Sequence, residues 1–201
     1  LKQQDKSLHE VLLMDTVVQF IEAAFYVWLI YSFSTLNNRI ITSRRYIDWV
    51  ITTPIMLITT VIYMKYNTYK KDGDIDNLKK LSLNSFMKEN TQDIIKLVGY
   101  NFLMLAFGFL GETRRLPLYI STTIGFIFFT LNFNLIYTKY AANTTSINMN
   151  LFNFLLVVWG LYGVAAVMPL VSKNVMYNLL DIVSKNFYGL YIYYQIVLLQ
   201  K

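Results

Sequence analysis

Residues 175–199 read VMYNLLDIVSKNFYGLYIYYQIVLL. The run is long enough to cross a hydrocarbon core of about 30 Å as a helix, yet it carries Asp181 and Lys185. Lys185 would lie about 15 Å from the end of such a span, near mid-bilayer, with Asp181 one turn away on the same face. Ionisable groups at that depth are costly and are functional candidates by default. Two readings are open: an inert buried ion pair, or a lysine kept reactive to form a Schiff base with a carbonyl ligand.

Five more runs of spanning length lie upstream, near Leu12–Phe33, Tyr46–Met64, Ile94–Leu110, Leu116–Tyr137 and Leu151–Val171. Pro54 falls inside the second and Pro169 near the end of the fifth, where membrane helices tolerate proline. The 201 residues are 55% hydrophobic and only 15% charged, so a single all-α membrane domain over residues 1–201 is expected. With no Cys and only His9, a disulfide scaffold or a zinc domain is excluded. The same scarcity leaves no nucleophile–base–orienter set, so no enzyme and no metal site are expected. The net charge of +6 is not paired with a soluble basic fold, which argues against nucleic acid. The chain opens on Leu1, and a preceding segment is expected.

The charge is better read as orientation. Lys2, Lys6, Lys65, Lys70, Lys71, Lys79, Lys80, Lys88, Lys139 and Lys201 fall on one side of the six spans; Arg39, Arg44, Arg114, Arg115 and Lys173 fall on the other. The richer side, which holds the C-terminus, is expected to be cytoplasmic. It also holds the sequon at Asn143, so no sugar is expected there. The connection Lys65–Asp93 is long and charged. Its Asp72, Asp74 and Asp76 resemble the start of a calcium loop, but the sixth and twelfth positions are Asn77 and Leu83 instead of Gly and Glu. A solvated loop with a short surface helix is the plainer expectation.

Other spans carry polar stripes. Arg45, Asp48, Thr52 and Thr59 are spaced three, four and seven apart, and Asp48 could face the Lys185 nitrogen as a counterion. Asp15, Gln19, Glu22 and Tyr26 share one face of the first span over about 16 Å. One such residue would be a hydrogen bond between helices; four in a row suggest the wall of an ion path. Trp159 and Tyr162 lie one turn apart, as core packing or as a flat wall beside a lysine-bound ligand.

Together these residues resemble a known family. Arg45-Tyr-Ile-Asp48-Trp49-Val-Ile-Thr52-Thr53-Pro54 is similar to the third-helix signature of microbial rhodopsins. Asp181-x-x-x-Lys185 resembles their retinal-attachment motif, Trp159-x-x-Tyr162 their sixth-helix pocket motif, and Asn101 to Gly111 their fourth helix. The resemblance implies a seven-helix bundle of which this chain supplies helices two to seven. It implies that Lys185 holds all-trans retinal as a protonated Schiff base, with Asp48 and Asp181 as counterions and Asp48 the first proton acceptor. Thr52 would hydrogen-bond near Asp48 and Arg45 would close the outer side. Trp49, Thr53, Met56, Met104, Gly108, Trp159 and Tyr162 would line the pocket, and Thr53 with Asn101 would form a linked pair between helices.

There are departures. Thr59 stands where efficient pumps of the family carry a proton-donating carboxylate, and Gly163 and Ala166 replace a Pro and a Trp. Gly163, Asn186, the polar first-span face and the long loop look like the viral rhodopsins of giant algal viruses. The expected function is a light-gated cation channel, the acidic face favouring monovalent cations or protons. An outward proton pump is the alternative, and a photosensor docking through the long loop is a third. Homo-oligomers are compatible with either transport mode.

Overall fold

The computed structural model describes residues 6–32 and 38–199, which are almost wholly helical. In chain order they form α1 (Lys6–Ser32), α2 (Asn38–Asp72), α3 (Ile75–Lys80), α4 (Leu83–Glu89), α5 (Thr91–Glu112), α6 (Leu118–Ile136), α7 (Ser146–Ala166), α8 (Leu170–Asp181) and α9 (Tyr188–Leu199). A π-helical turn, Tyr137–Ala141, extends α6, and a second, Ile182–Phe187, joins α8 to α9. Among the described residues, five helices are long and apolar enough to cross a membrane. The sixth expected span is a composite rod that runs unbroken from Leu170 to Leu199 through the second π turn.

The bundle is built inside out relative to a water-soluble domain. Phe20, Ile30, Ile47, Ile95 and Leu190 face outward, whereas Asp15, Glu22, Arg45, Asp48, Asp181 and Lys185 are buried. In lipid that arrangement leaves the apolar surface in its preferred solvent and lets the charges find one another. Helix α2 sits centrally, packed against α1, α5, α7 and α8, while α5 lies along α6 and the rod packs on α7 and α1. Close approach relies on small residues: Ser121 Oγ reaches the Phe107 carbonyl at 2.7 Å, and a Cβ on Gly111 would fall 2.8 Å from the Ser121 Cβ.

Pro54 does not break α2. Its missing N–H costs one backbone bond, and the neighbouring Thr52 and Thr53 hydroxyls bond back to the Asp48 and Trp49 carbonyls at 3.0 and 2.7 Å.

Several expected boundaries are corrected. The segment Lys65–Asp93 is mostly helix, not loop: α2 continues to Asp72, and α3 and α4 follow. Its apolar residues, spread among charges in the sequence, converge in space, and Leu78, Leu81 and Phe86 are buried in the core. Asp74 caps α3, accepting from Asn77 N at 3.1 Å, and Ser82 and Ser85 form a reciprocal cap on α4. The fifth span ends at Ala166 rather than Val171, and Pro169 is the N-cap of α8, a position where a missing N–H costs nothing. The expected loop Thr138–Met149 is short, because the π turn and the start of α7 take most of it.

One end of the bundle gathers the lysine-rich segments. Lys71 Nζ donates to the Thr144 carbonyl (2.5 Å) and Lys139 pairs with Asp93 (2.9 Å). Glu10 accepts from Leu83 N at 2.6 Å. The Arg39, Arg114 and Arg115 end lies opposite.

Candidate functional site

The π turn between α8 and α9 contains Ser184 and Lys185, and both are buried. A π turn spaces backbone bonds i to i+5 and loosens the local ladder. Here the Lys185 carbonyl accepts from Gln19 Nε2 of α1 at 2.8 Å. The lysine side chain points into the bundle, 2% exposed, and its ammonium donates to Asp48 Oδ2 of α2. Asp181 Oδ1 lies 3.8 Å away and Glu22 Oε1 3.9 Å away. Three carboxylates from three helices thus surround one amine.

The two aspartates differ in how fully they are bonded. Asp181 Oδ1 accepts from Trp49 Nε1 (3.1 Å) and Tyr162 OH (2.8 Å); Oδ2 accepts from Tyr26 OH (2.9 Å) and Arg45 Nη1 (3.1 Å). Four donors occupy that carboxylate and fix its position. Asp48 has the lysine on Oδ2, while its buried Oδ1 has no protein partner. The Thr52 hydroxyl, expected to hydrogen-bond near Asp48, donates to the Asp48 carbonyl at 3.0 Å, the local bond open to a threonine in mid-helix. Asp48 therefore has a lone pair to spare, and Asp181 does not.

Arg45 is 1% exposed and its guanidinium bridges Asp181 and Asn178. It forms a fixed crossbar on the Arg39 side of the lysine. On the other side, Asn186 Nδ2 donates to Gln19 Oε1 (2.8 Å) and to Glu22 Oε2 (3.4 Å). Asp15 is 5% exposed with its Oδ1 unpartnered. A Cβ on Gly189 would fall 2.7 Å from Asp15 Oδ2, so glycine there is what lets α9 and α1 close on this polar seam.

An apolar cavity with about 900 Å³ of empty space, mouth included, opens from Lys185 and Ser184. Trp49, Thr53, Met56, Met104, Gly108, Trp159 and Tyr162 all line it, together with Tyr46, Phe126, Phe129 and Gly163. Gly108 is a requirement of shape, since a Cβ would meet the Tyr46 hydroxyl at 2.8 Å. Asn101 Nδ2 donates to Thr53 Oγ1 at 2.8 Å, tying α5 to α2 beside the cavity.

Asp48, Asp181 and Glu22 thus fall at the amine, the seven expected pocket residues on the cavity wall, and Asp15, Gln19, Glu22 and Asn186 on the polar seam, while Arg45 reaches Asp181, Asn101 reaches Thr53 and Thr52 bonds back within α2. Three contributions were not read from the sequence. Glu22 was assigned to an ion path, but its carboxylate also reaches the amine. Asn178 sits three positions before Asp181, a spacing that could have marked it as an Arg45 partner. Glu112 and Lys173 form a buried ion pair at 2.8 Å, Glu112 on the cavity wall; 61 residues separate them, too far for any local pattern to join.

A family model described as bacteriorhodopsin-like protein matches residues 1–199. Among solved structures, the crystal structure of the viral rhodopsin OLPVRII is similar, with a TM-score of 0.82 and 30% sequence identity over 96% of this chain and 85% of that one. No curated protein sequence matches.

Proposed function

This chain belongs to the bacteriorhodopsin-like family, and from that premise we propose that it is a retinal-binding, light-gated cation channel. It is an integral, multi-pass membrane protein, and the lysine-rich end, with the C-terminus, faces the cytoplasm. Retinal, in the all-trans form, supplies the light response when joined to Lys185, by absorbing in the visible and isomerising. The cavity fits such a polyene: its walls are aromatic and aliphatic, glycines at 108 and 163 let the Tyr46 and Phe126 rings lie close against them, and the one amine among its described lining residues is Lys185.

The protein's own groups then divide the work. Asp48 Oδ2 receives the proton from the Lys185 nitrogen, because it is the nearest carboxylate and is incompletely bonded. Asp181, saturated by four donors, holds Arg45, Tyr26, Trp49 and Tyr162 in place. Moving one proton changes the charges facing α1, α2 and the rod together, which is the kind of local event that biases a helix arrangement.

The channel reading rests on the seam of Asp15, Gln19, Glu22 and Asn186. It joins α1 to the turn that holds the lysine, and its carboxylates favour cations. Thr59 donates to the Met56 carbonyl and also bonds the Tyr188 hydroxyl, and it offers no carboxylate for return of the proton from α2. Whole-cell recordings under illumination test this: currents that reverse with voltage at the cation equilibrium potential are expected. Currents that stay outward at every holding potential would overturn it and establish the alternative, an outward proton pump, which the spare Asp48 lone pair and the Arg45 crossbar also favour.

A further inference from the structure

A second cavity opens at the Arg39 end of the bundle. Its charged lining residues, among those described, are Arg39, Arg114, Arg115, Lys173 and Glu112. Four cations therefore face a single carboxylate, and that carboxylate is already engaged by Lys173 at 2.8 Å. Lys173 is 6% exposed, so its charge is held in the floor of the cavity and screened far less by solvent than the rim arginines.

The backbone adds to this field. Leu118 opens α6 and Leu170 opens α8, and both residues line the cavity. The N-caps are Pro117 and Pro169, and neither supplies a side-chain cap. Two helix N-termini thus present their first N–H groups, and the positive ends of their dipoles, to the same basic space. Arg114 adopts a left-handed backbone, φ 59°, at the turn that follows α5. That turn places two consecutive arginines on the rim.

We propose that this cavity is a binding site for a phosphate group. Guanidinium forks match the oxygens of an oxyanion in a way a spherical halide cannot exploit, and uncapped helix N-termini receive phosphate oxygens directly. Lys173, paired with Glu112, lies buried at the same lining, which leaves the arginines as the cations in excess. The phosphate is supplied either by a lipid headgroup, since the site lies at the end of the spans, or by a free anion. The site does not depend on the retinal reading: Glu112 and Leu118 line both cavities, but Arg39, Arg114, Arg115 and Lys173 line only this one.

The test is thermal unfolding of the whole protein, followed by tryptophan fluorescence. In detergent, inorganic phosphate replaces gluconate at constant ionic strength. A saturable rise in Tm of a few °C is expected, as for any ligand that binds only the folded state. The rise is expected to vanish in the double variant Arg114→Gln/Arg115→Gln and to persist in Lys79→Gln/Lys80→Gln, which removes the same charge at the opposite end. Nanodiscs separate the two sources. A higher Tm in phosphatidylglycerol than in phosphatidylcholine, with no further effect of added phosphate, identifies the headgroup; an equal response to phosphate in both identifies the free anion. No response to either, or the same response in both double variants, overturns the site.

Discussion

Lys185 is the residue on which the chemistry turns, and its surroundings make separable predictions for the groups around it. Lys185→Ala should give a protein that folds but shows no visible absorption band after incubation with retinal; a coloured variant would show that attachment lies elsewhere. Asp48→Asn removes the carboxylate in closest contact with the amine. Less negative charge beside a cation favours spreading its charge away, so the band of the variant should shift to the red. An unshifted spectrum would transfer the counterion role to Asp181 or Glu22, at 3.8 and 3.9 Å. The sequence revealed the Lys185–Asp181 pair because four residues make one turn, and it revealed Asp48 through the family signature. It could not reveal that Asp181 is saturated and Asp48 is not. That difference depends on Tyr26, Trp49 and Tyr162 arriving from three other helices.

At the scale of elements, α2 and α5 are tied beside the cavity by Asn101 and Thr53. Asn101→Leu should remove this bond while the Thr53 hydroxyl keeps the Trp49 carbonyl, at a cost of about 0.5–1.5 kcal/mol, the usual net value of one hydrogen bond. Thermal bleaching of the visible band would check this, with Thr53→Val in the same background expected to add little, since the bond is already gone. The spanning helices were legible because apolar runs of this length have few other uses. Residues 65–93 were not: the buried Leu78, Leu81 and Phe86 are spread among charges in the sequence, and their common face exists only once Asp74 and Ser82 have started two short helices. The end of α7 was misplaced for a related reason. Apolar residues continue past Ala166, and only Pro169 marks where one helix stops and the next begins.

For the whole molecule, buried ion pairs link helices that are distant in sequence. Lys173→Met would take from Glu112 its ion-pair partner in the interior, at a cost of about 3–5 kcal/mol. A lower denaturation temperature is the expected result, and Glu112→Gln added to Lys173→Met should recover much of it by removing the unpaired carboxyl group. The rod that closes the bundle carries a subtler dependence. Its inward residues run from Tyr177 through Asp181 and Tyr188 to Ile196, a comb with teeth nearly four residues apart. At 3.6 residues per turn, a regular helix would carry Ile196 about 100° away from Tyr177. The wide turn at Ile182–Phe187 takes up one extra residue and cancels the drift. Deleting a single residue there would bring Tyr177 and Ile196 about five whole turns apart on a regular helix, so Tyr188, Ile192 and Ile196 would stay meshed and only the slack link beside the reactive amine would be lost.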